Sequence, residues 1–266
     1  MTIAAGAVLG LANMAAAQPP DFNSCASLPG YGALKATISK ATAIETSGLN
    51  NQMWAAIVDR NGVVCAVAFS GANRGAQWLG SRVIAAQKAN TANAFSLDSS
   101  SNTGGSGQAK GLALSTANLY SAVQPGGSLY GLQASNPVST DVAYRGSALA
   151  YGTSNDPMVG GKIGGVNVFG GGVALYGPGG VLMGGLGVSG DTSCADHMIA
   201  WRTRNILGFD HLANVAGVSG DPARPDNIVY DITDNPSGGT GISAGGFGHP
   251  KCLNTGDQTM LPAVQP

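Results

Sequence analysis

Two short motifs near the end of the chain mirror each other in their order of cysteine and histidine. Cys194-Ala195-Asp196-His197 reads C-x-x-H, and His249-Pro250-Lys251-Cys252 reads H-x-x-C. The chain has four cysteines and three histidines, so these motifs hold two of each. If the segments meet, two imidazoles lie beside two sulfurs. That arrangement is either a metal site or a disulfide flanked by two potential metal ligands.

A disulfide and a zinc site are the two main interpretations of these cysteines. The spacing C-x2-H…H-x2-C is unusual for zinc, so we favour a Cys194–Cys252 disulfide that joins the tail to a helix. Closing so long a loop stabilises a fold by about 4 kcal/mol in the chain-entropy model. A Cys2His2 zinc site and unrelated roles remain open. By elimination the other pair is Cys25–Cys65, unless Cys65 is a free buried cysteine.

The histidines allow two interpretations as well. His197 lies three residues after Cys194, on the same side of a helix. His249 lies in a glycine-rich segment that could fold back. Neutral imidazole binds transition metals and haem iron, so His197 and His249 are candidate ligands of either. The alternative is that each histidine forms only local hydrogen bonds, and His211 is expected to be structural.

Composition excludes several classes of function. Only 10% of the residues are charged and the net charge is -1, which argues against nucleic acid or an anionic membrane surface as a partner. Glu45 is the only glutamate, so a mechanism with two glutamates is excluded. Ser189 is not in a nucleophile elbow, because Asp191 stands where the G-x-S-x-G motif needs glycine. No catalytic residue is specified.

The N-terminus resembles a secretory signal peptide. A short apolar stretch ends in Ala15-Ala16-Ala17, although the basic n-region is missing, and an apolar helix is the alternative. We expect residues 1–17 to be a signal-peptide remnant and the protein to be periplasmic or secreted. No later segment is long and apolar enough to span a bilayer. The expected domain covers 18–207, with an irregular C-terminal extension over 208–266 packed on it.

The apolar pattern predicts an antiparallel sheet of about five strands flanked by helices. Asn61-Gly62 between two β-branched runs is a strong hairpin signal. Helices are predicted over 30–48, 75–95, 111–123 and 193–207, and strands over 53–58, 63–69, 166–169, 173–176 and 181–190, with a short one at 228–230. Because strands and helices do not alternate singly, the fold class is α+β and a Rossmann domain is unexpected.

Several segments of the chain together resemble one protein family. The resemblance rests on five runs that occur in the same order: Ile57–Val64, Ala85–Ala92, Gln124–Leu132, Phe169–Val173 and Gly185–Gly190. They resemble the GlcG/HbpS-like family over roughly residues 30–206. That family includes secreted haem-binding proteins of the HbpS type and the C-terminal domain of some corrinoid adenosyltransferases.

The resemblance implies a profilin-like domain of three layers that assembles into homo-oligomers. Several family members bind haem, and HbpS-type proteins also bind iron and contact a sensor partner. This chain departs from the family in its insertions around 98–110 and 136–165 and in its tail after 206. It also has no histidine before His197, so an N-terminal histidine ligand used by some relatives has no counterpart here.

The resemblance also adds pocket residues. Lys88 and Thr91 lie in the family's motif on the second helix, six and nine residues after Arg82, and Tyr130 lies in the 124–132 run. The basic groups of Arg82 and Lys88 would bind haem propionates or another anionic ligand. The alternative for Arg82, Lys88 and Thr91 is ordinary helix surface and packing against the sheet.

Three functions follow from these observations. The first is binding of haem, a related tetrapyrrole or its iron outside the cytoplasm, by a homo-oligomer with a small-molecule ligand. The second is a metal-dependent redox or hydrolytic enzyme whose metal is held by His197 and His249. The third is a structural homo-oligomeric secreted protein without a cofactor.

Overall fold

The computed structural model describes residues 25–101, 110–239 and 241–266. The expected signal peptide over 1–17 and part of the 98–110 insertion lie outside the described residues. The helices are α1 Tyr31–Ile44, α2 Ser81–Ala94, α3 Leu132–Ser135, α4 Thr140–Ala143 and α5 Ser193–Leu207. The strands are β1 Trp54–Asp59, β2 Val64–Phe69, β3 Gly172–Gly177, β4 Val181–Ser189, β5 Ile232–Thr233 and β6 Ile242–Ser243. None of the helices in these ranges is long and apolar enough to cross a membrane.

The central sheet has the strand order β2-β1-β4-β3, and each neighbouring pair is antiparallel. This confirms the α+β class, with four strands in the sheet rather than about five. The strand predicted over 166–169 is absent because its neighbours Gly164, Gly165 and Gly171 take positive φ values of 62°, 78° and 117°, which interrupt an extended run. The run 228–230 is also irregular, and the nearest strand is β5 of a separate two-stranded hairpin.

Helices cover both faces of the sheet. On one face, α1 and α5 pack on inward-facing strand side chains. This cluster contains Leu34, Ile38, Ala55, Ile57, Ala66, Ala68, Val173, Leu175, Leu186, Val188 and Ile199. The strand members alternate along the chain, as the two-residue period of a sheet requires. The two helices on this face and the one on the other form the three layers that the resemblance implies.

Helix α2 lies on the other face, unusually close to β4. Added Cβ atoms at Gly185 and Gly187 would overlap the backbone oxygens of Ala89 and Ala85. Alanines on the helix and glycines on the strand therefore let the two backbones approach. The predicted helix over 75–95 begins only at Ser81, and the one over 111–123 is instead a pair of 3-10 turns, Thr116–Leu119 and Ser121–Val123.

The C-terminal tail packs on α5 and on the edge of the sheet. Trp201 of α5 donates from Nε1 to the carbonyl oxygen of Pro262 at 3.0 Å. The backbone nitrogen of Tyr176 donates to the carbonyl oxygen of Phe209 at 2.8 Å, which extends the β3 edge. Trp201, Leu212 and Leu261 are all buried in one apolar cluster. The tail is thus held by apolar contacts and backbone hydrogen bonds as well as by any disulfide.

Candidate functional site

The two mirrored motifs meet at the N-terminal end of α5. Thr192 caps this helix, since its side chain accepts a hydrogen bond from the backbone nitrogen of Ala195. Cys194 in the first turn forms a disulfide with Cys252 of the tail, and a second disulfide joins Cys25 to Cys65. Cys194 is fully buried and Cys252 is half-buried. The two motifs are therefore linked by a disulfide that joins the tail to α5.

His249 lies beside this disulfide with one ring nitrogen unpaired. Its Nδ1 lies 2.7 Å from the carbonyl oxygen of Pro250, which can only accept, so Nδ1 carries the proton. Nε2 then carries the lone pair, is buried and has no hydrogen-bond partner. The ring stacks at a tilt on Tyr120, with centroids 5.0 Å apart, and the residue is 1% exposed. His249 thus has a buried ring nitrogen with a free lone pair.

His197 has the opposite tautomer and the same kind of free nitrogen. The Oδ1 atom of Asn227 already accepts the backbone N–H of Ile228, so Nε2 of His197 donates to it at 3.2 Å. Nδ1 therefore carries the lone pair and is buried without a partner. Burial lowers the pKa of His197 to about 4 and the pKa of His249 to about 4. Both imidazoles are neutral at pH 7.

The structure brings three of the four motif ligands together. A ring nitrogen of His249 and the sulfurs of Cys194 and Cys252 lie within 4.8 Å of one another. Among the residues that the structure describes, His197 is not part of this group. In the disulfide the sulfurs are not thiolates, which are the form that binds metal. The oxidised site offers a metal one good ligand, the His249 imidazole.

A cavity of about 320 Å³ opens beside His249, between the loop after the 3-10 turns and the β5–β6 hairpin. Its lining consists of Ser121, Gln124, Pro125, Gly126, Gly127, Ser128, Asn235, Gly241, Ile242, Ser243 and Gly246. Both the backbone nitrogen and Oγ of Ser121 donate to the carbonyl oxygen of Gly248, at 3.1 and 2.7 Å. Tyr130, two residues beyond the lining, is 69% exposed. Neither His249 nor Tyr130 lines the cavity itself, but each lies within three residues of its lining along the chain.

Lys88 on α2 faces the interior of the protein. Its Nζ donates to Oδ2 of Asp196 at 2.7 Å and to the carbonyl oxygen of Val188 at 3.1 Å, and it lies over the ring of Phe169. Lys88 and Asp196 are both fully buried. Oδ1 of Asp196 accepts the backbone N–H groups of Gly190 and Asp191 at 3.0 and 2.9 Å. The pair ties α2 to α5 and to the end of β4.

Burial dominates the electrostatics of this pair. Desolvation raises the pKa of Asp196 to about 6 even though Lys88 and the backbone donors act to lower it. Desolvation also lowers the pKa of Lys88, against the attraction of Asp196. The ion pair therefore offsets only part of what burial costs each charge.

The other predicted α2 residues are also held by internal partners. The hydroxyl of Thr91 donates to the carbonyl oxygen of Gln87 at 2.8 Å and accepts the N–H of Asn167 at 2.9 Å. Arg82 forms a buried ion pair with Asp156 and lies over the ring of Tyr151. Both residues are buried. These α2 positions contribute to packing and hydrogen bonding within the fold, and none of them lines the cavity of about 320 Å³.

Residue patterns did not reveal the partners of these groups. Asp196 lies inside the C-x-x-H motif, yet the pattern offered no sign that it pairs with Lys88, 108 residues away. Tyr120 and Asn227, which orient His249 and His197, were missed for the same reason. Contacts between residues this far apart depend on chain topology, which short motifs do not encode.

The amino-acid sequence matches a known protein family. The family described as "Haem degrading protein HbpS-like" matches residues 33–204. Among solved structures, a haem complex of PduOC is 24% identical, with a TM-score of 0.42 over 65% of this chain and 88% of that one. Protein ORFY of Klebsiella pneumoniae is 22% identical, with a TM-score of 0.42 over 67% and 90% of the two chains. A double mutant of Streptomyces reticuli HbpS is 14% identical, with a TM-score of 0.42 over 77% and 99%. No curated protein matches the chain.

Proposed function

Because the chain belongs to the HbpS-like family, we propose that it binds haem or a related tetrapyrrole through its iron, outside the cytoplasm. The family match over residues 33–204, whose description names haem, carries this proposal. The disulfides Cys25–Cys65 and Cys194–Cys252 support the location, since disulfides persist in oxidising compartments. The homo-oligomer implied by the resemblance stays a prediction.

Two residues have donors that fit haem iron. Nε2 of His249 has a free lone pair, and Nδ1 is held by a backbone carbonyl, as in many metal-binding histidines. Tyr130 presents its hydroxyl to solvent, and tyrosine is a known axial ligand of haem. The buried Nδ1 of His197 has the same chemistry, but the residue is fully buried.

The exposure of each side chain distinguishes His249 from Tyr130 as the ligand of the haem iron. His249 is 1% exposed, so iron reaches it only if the segment 245–250 moves. Tyr130 needs no such movement. The neighbouring cavity of about 320 Å³ lies at the small end of the range of about 300–1,000 Å³ for ligand pockets. We therefore place the haem against the surface formed by the loop 124–130 and the β5–β6 hairpin, partly enclosed, with Tyr130 as the first ligand and His249 as the alternative.

A haemin titration of the oxidised protein, followed at the Soret band, tests this proposal. We expect saturable binding of one haem per chain, weakened about tenfold or more in Tyr130→Phe because the phenolate is lost. Tyr144→Phe and His211→Ala are the matched controls. Tyr144 is 65% exposed and directly follows α4, outside the loop 124–130, so its substitution removes a similarly exposed tyrosine hydroxyl from another surface.

The other outcomes distinguish a wrong iron ligand from the absence of haem binding. Loss in His249→Ala alone would assign the iron to the tail and require the segment 245–250 to open. Saturable binding unchanged in both variants would keep haem binding but reject this surface. No saturable shift of the Soret band in the wild type would refute haem binding itself.

A further inference from the structure

The disulfide Cys194–Cys252 is surrounded by groups that suit a metal centre once the disulfide is opened. The two sulfurs and a ring nitrogen of His249 already lie within 4.8 Å of one another, inside the fold. Two cysteine sulfurs and one histidine nitrogen form a donor set typical of zinc. What separates the observed state from such a site is the bond between the sulfurs.

The imidazole of His249 has a lone pair available for a metal. Its Nδ1–H is bonded to the carbonyl oxygen of Pro250, which fixes the ring and leaves the lone pair on Nε2. Nε2 is buried and has no hydrogen-bond partner. A buried acceptor without a partner is costly, and a bound cation would satisfy it.

The start of α5 stabilises a thiolate at the tail cysteine. The backbone N–H of Cys194 donates to the sulfur of Cys252 at 3.2 Å, and Oγ of Ser193 lies 3.5 Å from the same sulfur. Both donors belong to the first turn of a helix of 15 residues, whose partial positive charge favours an anion. Cys252 is half-buried, so a reductant can reach it more easily than the fully buried Cys194.

We propose that reduction of the Cys194–Cys252 disulfide creates a binding site for one thiophilic divalent cation such as Zn²⁺, held by both thiolates and His249, with its fourth position open. The reductant is a dithiol or a phosphine. A phosphine takes the oxygen of one water molecule and becomes a phosphine oxide, and the two hydrogens of that water go to the two sulfurs. A dithiol supplies two electrons and two protons, so the disulfide becomes two thiols and the dithiol becomes a disulfide. Metal binding then releases the two thiol protons. The cation replaces the covalent link between the tail and α5 with a coordinated one.

The other disulfide must be removed to test this cleanly. Cys25 and Cys65 also have a potential ligand nearby, Asp59, within the same distance limit. However, Oδ1 of Asp59 already accepts the N–H groups of Asn61 and Val63, at 2.8 and 2.9 Å, in the β1–β2 turn. The background for the experiment is therefore the double variant Cys25→Ser/Cys65→Ser, which retains only the disulfide at α5.

The probe is Co²⁺, added without oxygen to this background after reduction with a phosphine. We expect a thiolate-to-cobalt absorption band in the near ultraviolet that saturates at one Co²⁺ per chain, with two protons released. The oxidised protein shows no band. His249→Ala weakens Co²⁺ binding about tenfold or more, since one of three protein ligands is lost, and His211→Ala leaves it unchanged.

Two results would overturn the proposal. One is the absence of a saturable band in the reduced background. The other is a band that survives His249→Ala without loss of affinity, because the cation then needs only the thiolates. If reduction unfolds the chain, Zn²⁺ must restore the native circular dichroism spectrum of the reduced background but not of its His249→Ala variant. Failure of that recovery also refutes the site.

Discussion

Polar groups in two regions of this molecule have opposite hydrogen-bonding states. On α2, the charged or hydroxyl groups of Lys88, Thr91 and Arg82 are buried and have internal partners. At the joint between the tail and α5, His197 and His249 are just as buried, but each retains one nitrogen without a partner. We call these the α2 polar cluster and the tail histidines. Both regions contain residues that the chain's motifs mark as possible ligands.

This difference distinguishes side chains that stabilise the fold from side chains that can still bind a ligand. A buried polar group with good partners contributes to the fold and has nothing left for a ligand. A buried nitrogen without a partner has paid the cost of desolvation and keeps its donor capacity. By this criterion we expect a structural role for the α2 polar cluster, and we expect protons, metals or iron to act at the tail histidines. Stability measurements can test this contrast directly.

The largest effect is expected in the α2 polar cluster from Lys88→Met. The change leaves Asp196 buried without its ion-pair partner, which typically destabilises a fold by about 3–5 kcal/mol. Urea unfolding followed by circular dichroism measures the loss. The exposed Lys40→Met is the matched control. Lys88→Met/Asp196→Asn should recover at least half of the loss, because no unpaired charge remains. A loss below about 1 kcal/mol would show that the pair is not structural.

The tail histidines should make stability depend on pH. Their pKa values are lowered to about 4 in the folded protein, against about 6.5 in the unfolded chain. As pH falls through 6.5, the unfolded chain takes up protons that the folded protein does not. The contribution of these two histidines to the free energy of unfolding is therefore complete above about pH 6.5 and is lost towards pH 4, by about 3 kcal/mol for each histidine. The raised pKa of Asp196 acts in the opposite direction below about pH 6.

Glutamine substitutions test the source of this pH dependence. His197→Gln and His249→Gln should each flatten the curve of unfolding free energy between pH 6.5 and pH 4, because the side chain that takes up a proton on unfolding is gone. His211→Gln controls for the loss of one histidine elsewhere. The interpretation fails if neither variant changes the slope of the curve in that window.

The smallest effect is expected from Thr91→Val in the α2 polar cluster. The change keeps the side-chain shape but leaves the N–H of Asn167 without its acceptor, at a cost of about 1–2 kcal/mol. Thermal unfolding measures this shift. The exposed Thr46→Val is the control. If Thr91→Val lowered haem affinity while leaving stability unchanged, Thr91 would belong to the ligand site and the contrast between the regions would be wrong.

The fold could be predicted largely from local patterns. Asn61-Gly62 between two apolar runs places the β1–β2 hairpin, and Thr192 and Gly208 mark the two ends of α5. The missed elements are those in which glycine overrides the local preference. At 166–169 a strand-like apolar run lies between glycines with positive φ, and the chain there is irregular.

The candidate site was predicted only in part. The mirrored spacing of the motifs was enough to favour the Cys194–Cys252 pairing, and the same pairing is present in the structure. The motifs also marked His249 as a donor. They could not tell that Pro250 holds its Nδ1 or that Nε2 is unpaired, because both depend on how the tail folds back on α5.

The residue order by itself determined most strands and helices and the chemistry available at each motif, because periodicity, turns and residue types are local properties. The resemblance of five segments to one family added the layered fold. Tertiary structure alone decided which of these groups are free. Lys88 and Asp196 are 108 residues apart and still form an ion pair. His249 lies near two sulfurs, and its lone pair has no partner. The physical reason is that the partners of a buried polar group depend on three-dimensional packing, which brings together distant parts of the chain.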